Sequence, residues 1–512
     1  EFIKEKNKFN LYFYIEEGRK YKIGLVDYEI IIDNLNSEQL ETFDNFFNNK
    51  AKKIYKKDFY NQSKIMNLKE DISSFLYNLG IKFFEINTLE NYEDEIVNLR
   101  FQVSPIDPLY VNHINIYGNT RTKDKVIRRE VTFSEGDAIN DDLIASTKRN
   151  IQKLGFFKDV KVDKKTNKEN KTDIILDVEE NQTGSFQFGI SFGTLNGSSF
   201  TTGLKEKNIG GTGRTFNLNL NTSENDTTYA LDVLEPYIFN SNMNLIYGFD
   251  YRNKDLSSSS YYKIDSLNFK SGVKYEFAYD VNHTALIEYD IKDYNITNKS
   301  LVASSISKYS GANAEVILKN IVSKNTLNSF INPTDGRLLY YENLLSPITN
   351  SDNGYMKNYI SFKQVDQFNK NLLTTKFAIG NIMSLQNDTV KSDSKFSLGG
   401  YTLRGFDSYG VGPRDSSNGY IGGNNMVSSS FEFLRPINKL SDNPMYYSLF
   451  TDAGTVWGNK EAPSKNDHSI RASYGFGLKF LTPVGPLNLT WAFPLSEESY
   501  DKNRTFLFSI GY

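Results

Sequence analysis

The hydrophobic period of the chain changes once, near Thr183. Before that point apolar residues recur every three or four positions in several stretches, and after it they alternate with polar ones. In "NQSKIMNLKEDISSFLYNLG", Ile65, Leu68, Ile72, Phe75 and Leu79 share one face of a helix that Gly80 ends. In "NDDLIASTKRNIQKLG", Leu143, Ile144, Thr147, Ile151 and Leu154 do the same. Asn140 is its N-cap, Asp141 and Asp142 suit the positive end of the helix dipole, and Gly155 stops it. Each helix follows a strand and a shorter helix: "YKIGLVDYEI" and "SEQLETFDNFF" in one case, "YVNHINIYGN" and "TKDKVIRREV" in the other. Each is followed by two strands, so the order strand, helix, helix, strand, strand occurs twice, over 19–106 and 107–181. "NKFNLYFYIEEGRKYKI" parallels "EIVNLRFQVSPIDPLYV", which makes Phe9–Ile15 the last strand of a further unit cut short within 1–18.

From residue 182 onward the period is two. "SFQFGISFG" sets Phe186, Phe188, Ile190 and Phe192 against Gln187, Gly189 and Ser191. "LNFKSGVKYEF" sets Leu267, Phe269, Val273, Tyr275 and Phe277 against Asn268, Lys270, Lys274 and Glu276. One aromatic face and one charged or amide face fits a sheet with lipid outside and water inside better than a soluble sandwich. About sixteen such runs follow one another, an even number that closes an up-and-down barrel. They begin near Phe186, Phe200, Arg214, Thr228, Met243, Ser260, Asn282, Gly311, Gly336, Tyr355, Leu373, Asn425, Met445, Ile470, Pro486 and Asn503. Turns such as "GGTG" at Gly210–Gly213 and "NPTDG" at Asn332–Gly336 separate them. The fold class is therefore α+β repeats followed by an all-β, sixteen-stranded antiparallel transmembrane barrel over 182–512.

Composition sharpens this. Of 512 residues, 39% are hydrophobic and no run approaches a membrane-spanning helix, yet Tyr 33 and Phe 37 make the chain aromatic-rich. A net charge of −3 gives no basic field for nucleic acid. The absence of cysteine removes thiolate metal sites and cysteine nucleophiles. The three histidines, His113, His283 and His468, are scattered, and no catalytic set or metal-ligand spacing appears. Glu288 and Asp290, on alternate positions of one strand, read as lumen lining. No enzyme, cofactor or metal is expected.

One segment breaks the alternation. Between about Gln386 and Gly423 lies a long polar stretch containing "LGGYTLRGFDSYGVGPR", and a loop of that length is functional or disordered. The arginine beside Gly405 calls for a carboxylate partner. Glu432 shares a face with Ser428 and Ser430, opposite Phe431 and Phe433, and so points into the lumen. Asp452 shares its face with Phe450, and alternation leaves its direction open.

The repeated unit, with its turn "YGNTRT", resembles the POTRA domain. With "LRGFDSYGVGP", "SFEFLRP", "FTDAGTVWG", "LKFLTPVGPLNLTWAFPL" and the terminal "FLFSIGY" in this order, the whole chain resembles the BamA family of outer-membrane barrel-assembly insertases and its organellar relatives. The resemblance implies that the loop folds into the lumen, with Arg404, Gly405 and Phe406 as its motif and Glu432 and Asp452 as wall partners. It implies a lateral seam between Phe186, Phe188, Ile190 and Phe192 of the first strand and Phe506, Phe508, Ile510 and Tyr512 of the last, with Gly511 as a kink. The chain ends a residue or two earlier than many relatives, which would shorten that seam. A client strand could add at a loosely held edge. The implied partners are unfolded outer-membrane protein clients, periplasmic chaperones, accessory assembly lipoproteins and outer-membrane lipid, with no nucleic acid. The implied location is the bacterial outer membrane, with the POTRA domains in the periplasm. A two-partner secretion pore and a TamA-like translocation and assembly protein share these parts and stand as alternatives.

Overall fold

The computed structural model describes all residues except 1, 6–7, 12–19, 33–34, 52–58, 168–170, 240, 330–331, 351–353, 387–389, 438–444, 463–467, 483–484 and 512. The chain divides into two compact units, Glu1–Thr120 with Ile127–Asn181, and Arg121–Val126 with Gln182–Tyr512.

In the first unit the helix ends follow local chemistry. Asn61 caps Gln62–Asn78 by accepting from the Lys64 N–H at 3.2 Å, and Gly80 follows at φ +86°. Asn140 caps Asp141–Lys153 through the Leu143 N–H at 2.9 Å. Ile65, Leu68, Ile72 and Leu76 of the former share one core with Val97, Leu99, Phe101 and Val103. Lys22–Ile30 runs parallel to Ile96–Pro105, whose other side pairs antiparallel with Phe84–Glu93. Leu109–Tyr117 likewise runs parallel to Lys171–Glu180, which pairs antiparallel with Phe157–Thr166. Parallel first-to-last pairing needs a crossover, and the two helices of each repeat supply it. The second repeat adds a short strand, Ala138–Ile139, beside Leu109–Tyr117. Near the start, Phe2–Glu5 and Lys8–Leu11 form a hairpin. The rest of the strand expected at Phe9–Ile15 lies outside the described residues.

The second unit is a closed barrel of sixteen strands paired in sequence order, from Gly184–Gly193 to Phe506–Gly511. None of the sixteen starts read from alternation is more than three residues from the observed one. The faces are the reverse of a soluble protein's. In Val281–Ile296, Ile287 and Tyr289 are 60% and 46% exposed while Glu288 and Asp290 are buried. Phe269 pairs with Tyr289 on the outer face, and Asn268 pairs with Asp290 on the inner. That is the pattern of a sheet with hydrocarbon outside and water within.

The segment between Ser384 and Asn425 runs through the lumen and carries its own core. Phe396, Leu398, Leu403, Phe406 and Val411 are buried with Ile382, Met426 and Val456 of the wall. Its 3₁₀ turn Ser392–Ser394 docks on one side, where Asp393 accepts from Tyr294 Oη at 2.7 Å and pairs with Lys292 at 3.0 Å. Farther along, the Tyr420 N–H donates to the Ser259 carbonyl at 3.0 Å, joining this segment to a loop at one end of the barrel.

Candidate functional site

Two places in the barrel unit combine burial with unusual backbone geometry: the Arg404 motif and the join between the first and last strands.

Arg404 precedes a two-residue strand, Gly405–Phe406, which pairs with Asn503–Arg504 at the entry to the last barrel strand. Gly405 has φ +96°, where a side chain is strained, and a Cβ there would sit 3.1 Å from the Ser473 Cβ. Phe406 is fully buried in the core of the loop. With glycine turning the backbone and phenylalanine sealed below, the arginine faces the wall. Its Nε and Nη2 donate to the two oxygens of Asp452, each at 2.7 Å, and its backbone N–H donates to Oδ2 at 3.1 Å. Nη1 donates to Glu432 Oε1 at 3.0 Å and Nη2 to Ser430 Oγ at 3.1 Å. The guanidinium lies over the Phe450 ring, 3.5 Å from its centroid. The second oxygen of Glu432 accepts from Lys479 Nζ at 2.7 Å.

Phe450 and Asp452 both face inward, which explains why alternation left the direction of Asp452 open: the aromatic is a platform for the cation. The fork-to-carboxylate arrangement is the strongest geometry open to an arginine, and burial prevents water from replacing it. Sequence reasoning placed Ser430 beside Glu432 and Phe450 beside Asp452 but gave neither a role and did not find Lys479, because these contributions depend on register across three strands. It also missed Asp407, which pairs with Arg504 through both carboxylate oxygens at 2.9 and 3.0 Å. The Asp407 N–H donates to the Lys502 carbonyl at 2.8 Å, so the loop is tied to the wall and to the last strand together.

At the join, the described residues form three register pairs: Ser191 with Gly511, Phe192 with Ile510, and Gly193 with Ser509. The first strand makes ten on its other side, and the longest neighbouring strands of the barrel make sixteen. Thr194 extends the join through its side chain. Its N–H donates to the Phe508 carbonyl at 2.9 Å and its hydroxyl accepts from the Phe508 N–H at 2.8 Å. Of the residues expected there, Phe192 and Ile510 face each other across the join. Phe186, Phe188 and Ile190 have no ladder partner on that side among the described residues. Phe506 and Phe508 pair with Trp491 and Leu489 of the preceding strand, and Tyr512 lies outside the described residues. Gly511 has φ +107°, and a Cβ there would lie 2.1 Å from the Ile190 carbonyl oxygen. Glycine is what lets the two backbones meet.

A family model of the Omp85 superfamily domain matches residues 208–512, and a POTRA model, described as a surface antigen variable number repeat, matches 109–181. The chain is 26% identical over 436 residues to the outer membrane protein assembly factor BamA of Neorickettsia risticii, covering 83% of this chain and 58% of that protein. It is 24% identical to the protein of the same name from Neisseria meningitidis serogroup B, across 99% of this chain and 68% of that one. The chain thus spans between about 58% and 68% of the length of these relatives. The crystal structure of BamA from Haemophilus ducreyi lacking POTRA domains 1–3 has the same fold, with a TM-score of 0.77 at 24% identity over 96% of this chain and 99% of that one.

Proposed function

This chain belongs to the Omp85 superfamily, and on that premise we propose that it folds and inserts β-barrel proteins into the bacterial outer membrane through the join between its first and last strands. The observation that carries this reading is the brevity of the join. A barrel gains stability in lipid by leaving no backbone edge unpaired. Here Gly184–Ile190 keeps free ladder groups on one side among the described residues, next to a three-pair closure. Such an edge can take up an extended strand by main-chain hydrogen bonding, with side-chain alternation choosing the register. A client strand that adds there leaves its own far edge to template the next, so no bare backbone need cross hydrocarbon.

The Arg404 clamp supports the same reading. It fixes a loop that is also tied to the start of the last strand through Asp407 and Arg504, so that strand is held at its beginning while its end is free to part. The POTRA repeats would gather unfolded outer-membrane protein clients, delivered by periplasmic chaperones and organised by accessory assembly lipoproteins. The mechanism needs no cofactor, since the chemistry is the exchange of hydrogen-bond partners. The alternatives, a two-partner secretion pore and a TamA-like protein, have less support than the likeness in sequence and fold to BamA proteins.

The test is a proteoliposome assay. The purified chain should speed folding of an unfolded barrel client severalfold over empty liposomes. A cysteine at Phe188 should cross-link to a cysteine in the client's terminal strand during that time. Equal rates with and without the chain, or cross-links no more frequent than from a strand on the far wall, would remove the proposal.

A further inference from the structure

The register of the inner wall places two lysines face to face, with no acidic side chain in direct contact with either among the described residues. Lys363 and Lys376 are direct cross-strand partners between Tyr355–Phe368 and Asn371–Ser384. Like charges directly opposite each other destabilise an antiparallel pair. Neither makes an ion pair or hydrogen bond to protein among the described residues, while nearby acids are already engaged. Glu432 gives one oxygen to Arg404 and the other to Lys479, and Asp452 is closed off by Arg404. Lys376 is next to Ser430 on its other side, and the Ser430 hydroxyl accepts from Arg404. Four cations thus meet two carboxylates.

The four cations and Glu432 line one chamber of about 450 Å³. It lies beside the Arg404 loop toward the short turn at Phe368–Asn371, with Tyr359 and Tyr401 as aromatic lining. Its wall includes Asn488, whose Nδ2 donates to Ser509 Oγ at 3.2 Å, and Ser509 is one of the three last-strand residues at the join. The positive chamber therefore borders the strand end that closes the barrel.

We propose that Lys363 and Lys376 form a carboxylate-binding site for an incoming polypeptide. The group they take is the terminal carboxylate or an acidic side chain of a strand lying at the join. The occupant rests on the reading that clients enter there. A polypeptide suits the chamber because it is reached through water inside the barrel. A lipid headgroup would have to draw its acyl chains away from hydrocarbon to enter. Ammonium groups on flexible stems act as point charges and adapt to a carboxylate that arrives in varied orientations. Binding would also relieve the repulsion between the two lysines, so the site would be more ordered when filled.

The experiment measures binding directly, apart from insertion. The full chain in lipid nanodiscs is titrated with a fluorescent pentapeptide of Ser, Thr and Phe bearing a free terminal carboxylate, and with the same peptide amidated. The free acid should bind the unaltered chain about tenfold more tightly than the amide, a ratio equal to ~1.4 kcal/mol. In K363Q/K376Q, which removes a repulsive pair and so leaves folding unthreatened, the two peptides should bind alike. In K363R/K376R the preference should persist. Equal binding of acid and amide to the unaltered chain, or a preference that survives in K363Q/K376Q, would overturn the proposal. So would inorganic phosphate binding at these lysines with no preference for the free acid, which would assign the site to phosphate. Should the unaltered chain fail to insert clients, the reading of function falls while this comparison keeps its meaning.

Discussion

At the scale of single residues, Arg404 and Asp407 show how burial decides the worth of an ion pair. Both make two-oxygen contacts. The Asp452 side chain is 1% exposed and that of Arg404 12%, against 31% and 36% for Asp407 and Arg504. Breaking a buried pair strands the remaining charge and costs roughly 3–5 kcal/mol, while solvent-screened pairs contribute about 0–1. Arg404→Ala should therefore lower the unfolding temperature of the barrel, read by its heat-modified migration on gels, and reduce client insertion severalfold. Arg404→Lys should rescue little, since an ammonium cannot serve both carboxylates and the Phe450 platform at once. Asp407→Asn should leave the unfolding temperature nearly unchanged. Equal stability of Arg404→Ala and the unaltered chain would show that the loop is held by its apolar core alone. Arg404 and Glu432 were legible because a glycine-flanked arginine and a lumen-facing glutamate stand out in sequence. Phe450 was not, since an inward aromatic breaks the rule by which the wall is read.

At the scale of elements, strand positions were legible and strand pairings at the join were not. Hydrocarbon and water on opposite faces impose a period of two that marks where each strand begins even where a residue such as Phe450 departs from it, so each start could be read within three residues. The join follows from the stagger accumulated around the closed sheet, which no local stretch encodes. Hence the expected seam residues Phe186, Phe188 and Ile190 have no ladder partner on the seam side among the described residues, and Thr194, which grips Phe508, went unnoticed. Gly511 carries a sharp expectation. Gly511→Val would put a Cβ against the Ile190 carbonyl and force a strained φ. It should abolish the pairing of Ser191 with Gly511. In a Phe192→Cys/Ile510→Cys background, oxidised cross-linking should then fall at least severalfold. Undiminished cross-linking would mean that the strands keep this register without a glycine at 511.

At the scale of the whole molecule, the barrel is secured all round its wall except at one place. Among the described residues neighbouring strands share between five and sixteen register pairs, the lumen loop is docked to the wall through Asp393 and Arg404, and the closure has three. Loss of that closure would break few hydrogen bonds, each with a net worth of about 1 kcal/mol. A bond across it should therefore decide activity. Because the chain has no cysteine of its own, Phe192→Cys/Ile510→Cys leaves one possible disulfide, between residues directly opposite each other. The rate of client insertion by this variant in proteoliposomes, oxidised and then reduced, is the decisive measurement. Insertion should stop on oxidation and return on reduction; insertion at the same rate in both states would contradict the account.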